Sequence, residues 1–248
     1  MKKYANLHPG FALRISHETR GAKDQGKAAK TRMHQAYGAY IGANAVKKAY
    51  AVLAKAKNKG YTAEHAERLL LLHSSTKERL PHIEKFYSHV FSVTGDARRV
   101  LDLGCGFNPF SLPFFPCKIE EYRAIDVDLR VKALLDDCFA LMNLPQLAEC
   151  MDLVTETPNG ETDIAFMLKL FPVLEACCPG RAYGLANQLD AAWLVVSYPT
   201  KSLGGRKKGM RENYSKAFRG EVGNICNFSL VSEEIIGNEL VFMLKRNR

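Results

Sequence analysis

Asp102, Gly104 and Gly106 lie in the run Val100-Leu101-Asp102-Leu103-Gly104-Cys105-Gly106-Phe107-Asn108-Pro109, an apolar stretch that ends in a carboxylate and two closely spaced glycines. The apolar residues read as a buried strand. Glycine lets the backbone bend sharply and approach a ligand with no Cβ between them, and a helix beyond the turn would offer that ligand free amide hydrogens. The chemistry this serves is the holding of a nucleotide-type cofactor. The third glycine of the dinucleotide fingerprint is missing, because Pro109 stands at its position with Phe110 after it. A carboxylate ahead of the glycines, with Asp126 twenty residues after Gly106 at the end of the next strand, fits S-adenosylmethionine better than NAD. A tight strand-to-helix turn without a ligand also satisfies Gly-x-Gly; the acidic flanks favour the cofactor.

S-adenosylmethionine needs an apolar slot for its adenine, an acceptor for its ribose diol, a cation for its carboxylate and an acceptor for its ammonium. In an open α/β sheet these belong at the carboxyl ends of the strands. The loop residues Asp102, Gly104, Cys105 and Gly106 form one wall. Asp126 is the candidate for the ribose; Asp128 is its rival, though its position just before a helix suits an N-cap. Asp152 and Leu153 suit the adenine amino group and ring face. Arg79 could engage the carboxylate through both oxygens, or form a surface ion pair with Glu78 or Glu84.

Methyl transfer is a displacement that asks the protein mainly to align a nucleophile and exclude water. Enzymes acting on exocyclic amines usually carry an (Asp/Asn)-Pro-Pro-aromatic tetrad after strand four; here the run is Leu168-Lys169-Leu170-Phe171-Pro172. A ring nitrogen with an in-plane lone pair, such as guanine N7, needs no such apparatus. Lys169 and Phe107 are candidates for positioning the reacting base, and Phe107, Phe171, Tyr198 and Tyr214 for stacking on an extruded one. Each of these rings also suits a core position. The segment Ser197-Tyr198-Pro199-Thr200-Lys201-Ser202-Leu203-Gly204-Gly205-Arg206-Lys207-Lys208-Gly209-Met210 combines glycines with Lys201, Arg206, Lys207 and Lys208, and Arg211 follows. Such a loop could track a phosphate backbone.

The elements that must position these residues fall into two parts. Residues 1–95 read as helical. Tyr37, Tyr40, Ile41, Ala45, Val46, Ala49, Tyr50 and Leu53 are spaced for one helical face within residues 27–57, and Gly60 ends that segment. Ser75-Thr76-Lys77-Glu78 has the form of a capping box that starts a further helix, which carries Ile83, Phe86, Tyr87 and Val90 inward and stops near Gly95. From residue 96 to 248 the pattern alternates, with strands at 99–103, 121–126, 151–155, 163–168 and 193–198 and helices at 129–142 and 182–190. A closing antiparallel pair follows at 227–231 and 239–245. This is an α/β class: a mostly parallel, Rossmann-like seven-stranded sheet with an all-helical N-terminal extension.

The 248 residues carry a net charge of +9, unevenly placed. Residues 1–99 hold 19 Lys/Arg against 7 Asp/Glu, whereas residues 100–248 hold 16 against 19. Within the latter, residues 201–219 hold 7 basic residues and one acid. Two separate basic blocks suggest a polyanionic partner, nucleic acid above all; a solvated basic face is the plainer alternative. No apolar run approaches the length of a membrane span, and no signal peptide is evident, so a cytoplasmic protein is expected. The seven cysteines form no Cys-x-x-Cys pair, and all seven histidines precede residue 90, so reduced thiols and no metal are expected.

The loop at 197–206, continued by Gly209-Met210 and Asn213-Tyr214, closely resembles that of the aminoglycoside-resistance 16S rRNA guanine-N7 methyltransferases (the Arm/Rmt group). Further matches are His73-Ser74-Ser75-Thr76-Lys77-Glu78-Arg79-Leu80-Pro81, the glycine loop through Asn108-Pro109-Phe110, and Lys169-Leu170-Phe171-Pro172-Val173-Leu174-Glu175. The resemblance implies a class I methyltransferase fold, methylation of guanosine 1405 in assembled 30S subunits, and resistance to 4,6-disubstituted deoxystreptamine drugs such as gentamicin and kanamycin. It implies cofactor contacts at Arg79, Gly104, Asp126, Asp152 and Leu153, and at Asn187 where relatives often have Gln. It places Lys201, Arg206 and Lys208 in an RNA-facing loop, and the N-terminal helices, as a domain of residues 1–95, on the small subunit. Lys77 stands for a frequent Arg and Lys207 for a Gly. A monomer is expected. The competing readings are an enzyme for a neighbouring decoding-site base (adenine N1), a non-catalytic RNA-binding protein with a relict cofactor fold, and a small-molecule methyltransferase, which should not need two basic blocks.

Overall fold

A computed structural model of the chain describes residues 4–42, 44–200 and 210–247. Seven strands, β1 (Arg99–Leu103), β2 (Glu121–Asp126), β3 (Leu147–Cys150), β4 (Glu161–Leu168), β5 (Asp190–Pro199), β6 (Phe228–Ile236) and β7 (Glu239–Arg246), form one sheet in the order β3-β2-β1-β4-β5-β7-β6. β1 to β5 pair in parallel, and β7 lies antiparallel between β5 and β6. The strand order reverses between β1 and β4, which opens a crevice at their carboxyl ends. Ile164-Ala165-Phe166-Met167-Leu168 in β4 is buried throughout, as a parallel strand covered on both faces must be.

The third strand lies earlier than residues 151–155. It is Leu147–Cys150, in register with Arg123-Ala124-Ile125-Asp126. The apolar run after it is turned out of the sheet by Asp152, whose Oδ1 accepts from the Val154 amide at 3.1 Å in an Asx turn.

The helices are α1 (Pro9–Glu18), α2 (Gln25–Met33), α3 (Ala45–Lys59), α4 (Ala63–Leu70), α5 (Ser74–Arg79), α6 (Ile83–Thr94), α7 (Leu129–Leu141), α8 (Phe171–Cys177), α9 (Arg181–Gln188) and α10 (Met210–Glu221). Residues 27–57 are therefore not one helical face. α2 passes into a π-helical turn at His34–Gly38, the chain then leaves the helix, and α3 begins afresh at Ala45. Tertiary contacts override the period: the Tyr37 hydroxyl donates to the Asp128 carboxylate, and Ile41 forms a β-bridge with His73. The capping box does not form either. α5 starts at Ser74 with no side-chain cap, and the Glu78 carboxylate goes instead to Lys169 Nζ at 2.7 Å. α6 buries Ile83, Phe86, Tyr87 and Val90 as expected.

The N-terminal helices and one sheet face share a single core, in which Phe11, Ile15, Leu53 and Phe86 join Val131, Phe139 and Phe166. The opposite face is covered by α8, α9 and α10 through Phe171, Leu185 and Phe218. The crevice at the switch point thus lies beneath the N-terminal helices. No helix among the described residues is long and apolar enough to cross a membrane.

Candidate cofactor site

One cavity opens at the carboxyl ends of β1, β2 and β4, and its lining includes Arg79, Asp102, Gly104, Cys105, Gly106, Asp126, Asp152, Leu153 and Lys169. The chain turns from β1 into it at Gly104 and Gly106, whose φ angles are +62° and +51°. A side chain is strained at both positions by the positive φ, and crowded as well: a Cβ at Gly104 would lie 2.8 Å from Leu170 Cδ1, and one at Gly106 2.7 Å from His73 Nε2. The His73 ring is itself stacked on Phe107 at 5.6 Å and on Tyr40 at 6.2 Å. Burial, with Lys169 and Arg79 near, lowers the His73 pKa to about 3, so the ring is neutral.

Asp102, one residue before the end of β1, lies beneath this turn. Its Oδ2 accepts from Tyr122 Oη at 2.7 Å and from Asn108 Nδ2 at 2.9 Å, whereas Oδ1 is buried without a partner. A buried carboxylate oxygen in that state is unfavourable unless a donor arrives, and an ammonium group supplies one. Asp126 ends β2, with Oδ2 accepting from the Gly106 amide and Oδ1 from the Asp128 amide, both at 2.9 Å. A carboxylate offers about four lone-pair positions, so each oxygen keeps room for a ribose hydroxyl. Burial pushes both Asp102 and Asp126 up to about 6. Asp128 is the cap of α7, accepting from the Arg130 amide at 2.8 Å. The residues present therefore fit the amino-acid and ribose parts of S-adenosylmethionine.

Arg79 is buried on the cavity wall and pairs neither with Glu78 nor with Glu84. Its Nε and Nη2 donate to the two oxygens of Glu239 at 2.9 and 2.8 Å, and Nη1 donates to Asn108 Oδ1 at 2.6 Å. Asp152 is held by Arg14 of α1, Nε to Oδ2 at 2.8 Å and Nη2 to Oδ1 at 3.1 Å. Leu153 offers its apolar side chain beside it, on the cavity wall.

Five expected residues lie off the cavity, Asn187, Phe107, Phe171, Tyr198 and Tyr214. Asn187 sits on α9, where Nδ2 donates to the Asn224 carbonyl at 2.6 Å and Oδ1 receives the Asn227 amide at 3.4 Å. It ties α9 to the approach of β6. Phe107 is fully buried between His73 and Phe110 and supports the turn from behind. Phe171 and Tyr198 likewise belong to the core, whereas Tyr214 is half-buried and tilted over Tyr198 at 5.0 Å. Lys201, Arg206, Lys207 and Lys208 lie outside the described residues, as does the side chain of Arg211. Lys169 does line the cavity, in a left-handed conformation (φ +58°). Among the described residues no cluster of His, Cys, Asp and Glu is arranged to hold a metal ion.

Sequence reasoning missed Arg14, Asn108 and Glu239. Arg14 lies three residues after Phe11 and one before Ile15, on the inward side of α1. Glu239 is a lone acid ahead of five apolar residues. A charge on an otherwise apolar face was the available signal in both cases.

The family model described as ribosomal RNA methyltransferase (FmrO) matches residues 1–243. A Serratia marcescens protein named 16S rRNA (guanine(1405)-N(7))-methyltransferase is 34% identical over 250 residues, covering 99% of this chain and 94% of that protein. A Micromonospora echinospora protein of the same name is 29% identical over 259 residues, covering 99% and 93%. Among solved structures, the 16S rRNA methyltransferase RmtF in complex with S-adenosyl-L-homocysteine superposes with a TM-score of 0.88 at 35% identity, covering 100% of this chain and 94% of that one. The 16S rRNA methylase RmtB superposes with a TM-score of 0.84 at 30% identity, covering 100% and 94%.

Proposed function

The chain belongs to the FmrO family of ribosomal RNA methyltransferases, and on that premise we propose that it methylates N7 of guanosine 1405 of 16S rRNA, using S-adenosylmethionine. The observation that carries this reading is full-length likeness to proteins named for that reaction, in a chain whose cavity keeps a free acceptor at Asp102 and an ionisable acceptor at Asp126. The substrate is the assembled 30S subunit. Residues 1–95 and the cations Lys201, Arg206, Lys207, Lys208 and Arg211 hold the rRNA, and the protein works as a monomer, without a metal, in the cytoplasm.

The bound donor supplies a methyl group on a sulfonium sulfur. Asp102 and Arg79 hold its amino-acid end, Asp126 its ribose, and Leu153 its adenine. Asp152, already paired with Arg14, closes the adenine side rather than standing free for it. Guanine N7 carries an in-plane lone pair and no proton to remove, so the protein need not supply a general base. Its work is alignment and exclusion of water. Lys169, the residue after β4 and on the cavity wall, positions the base. The modified base would confer resistance to 4,6-disubstituted deoxystreptamines. Expression in a susceptible strain should give resistance to gentamicin and kanamycin with apramycin susceptibility kept; apramycin resistance would overturn the choice of guanine N7.

A further inference from the structure

Resting on the donor reading above, we infer that Glu239 is a positioning residue that aims Arg79 at the donor's carboxylate and links that end of the site to Lys169. Glu239 opens β7 and is 1% exposed. A charge buried to that degree is unfavourable unless it is paired and hydrogen-bonded. Its partners come from three elements: Arg79 at the end of α5 through two hydrogen bonds, Ser197 Oγ of β5 at 2.8 Å, and Lys169 Nζ after β4 at 3.7 Å. Burial would raise its carboxyl, but Arg79 and Lys169 outweigh burial and hold it below the ordinary range.

The consequence for Arg79 is geometric. The guanidinium has five N–H groups. Glu239 takes one from Nε and one from Nη2, and Asn108 takes one from Nη1. One N–H on each terminal nitrogen is left for a ligand carboxylate. The group also lies 4.6 Å over the Phe86 ring, so it is held on its face as well as its edge. Asn108 then donates to Asp102, whose other oxygen is unpartnered. The cation for the donor's carboxylate and the acceptor for its ammonium are therefore set by one hydrogen-bonded row, anchored at Glu239.

Glu239→Gln places an amide N–H against the guanidinium and removes the anchoring charge. Titration calorimetry with S-adenosylhomocysteine, and with 5′-methylthioadenosine, which lacks the amino-acid end, tests the assignment. The Kd for S-adenosylhomocysteine should rise roughly tenfold or more, as for loss of a charged hydrogen bond, while that for methylthioadenosine moves less than about twofold. Glu239→Asp should recover part of the loss, and in an Arg79→Ala background Glu239→Gln should add nothing. Unchanged S-adenosylhomocysteine affinity, or equal loss for both ligands, would overturn the inference. If Glu239→Gln does not fold, Glu239→Asp decides by the same comparison. Wild-type protein that binds neither ligand would overturn the donor reading itself.

Discussion

Asp102 and Asp126 each carry a carboxyl raised to about 6 by burial, and that gives the site a pH dependence of known sign. Binding of an ammonium favours the ionised form of Asp102, so a proton must leave when the donor binds below pH 6. Affinity for S-adenosylhomocysteine should therefore fall as the pH drops below 6, by up to about tenfold per unit if one proton is released. Asp102→Asn should bind weakly at every pH with a flatter profile, and a wild-type affinity that is constant from pH 5 to 7 would refute the role. In the ligand-free protein these two groups act in the opposite direction. They take up protons at a higher pH folded than unfolded, so their contribution to stability grows as the pH falls from about 6 towards the ordinary aspartate range. At Gly106 the constraint is steric. Gly106→Ala forces a side chain into the left-handed region, at about 1–2 kcal/mol, and against a ring that Tyr40 and Phe107 keep in place. It should lower the unfolding free energy in urea and weaken S-adenosylhomocysteine. That Asp102, the two glycines and Asp126 line the cavity was legible in the sequence, because each lies at the carboxyl end of β1 or β2 or in the turn after β1. The partners of Arg79 and Asp152 were not, because Glu239 and Arg14 lie 160 and 138 residues away along the chain. Asn187 was placed by family position alone, and α9 turns it towards residues 224–227.

Most strands and the helices at 129–142 and 182–190 followed from their apolar runs, with β1, β2 and β4 found close to their observed limits. β3 did not, because Met151, Leu153 and Val154 outweighed the mixed Leu147–Cys150, and the Asx turn at Asp152 decides between them. The aromatic spacing of residues 27–57 suggested one helix; contacts to Asp128 and His73 broke it. The element with the clearest energetic role is α1. Phe11 and Ile15, with Leu7 just ahead of the helix, bury it in the core, the His8 amide donates to the Val127 carbonyl at 2.8 Å, and Arg14 neutralises the nearly buried Asp152. Removing one partner of such a pair leaves an uncompensated buried charge. Arg14→Ala should therefore destabilise the fold by about 3 kcal/mol, read as a lower urea midpoint with unchanged slope. Arg14→Ala with Asp152→Asn should regain part of that loss. A single variant as stable as wild type would show that α1 is not fastened by this pair.

At the scale of the whole molecule, the proposed function assigns RNA holding to the two basic blocks and donor binding to the cavity. The cavity lies between the sheet's carboxyl edge and the N-terminal helices, and residues 1–99 carry a net charge of +12. Charge reversal at Arg206 and Lys208 should weaken 30S binding and reduce the slope of log K against log salt by about 1 per lost phosphate contact. S-adenosylhomocysteine affinity should not change, and loss of both together would point to misfolding. Transfer of a methyl group to one ring nitrogen of 16S rRNA is read out by mapping the product. Purified protein is incubated with 30S subunits and S-adenosylmethionine, the RNA is treated to cleave at 7-methylguanosine, and the ends are read by primer extension. A stop at guanosine 1405 that requires both donor and cleavage is the expected outcome. A stop at a neighbouring adenine without cleavage, or RNA left unmethylated, would contradict it.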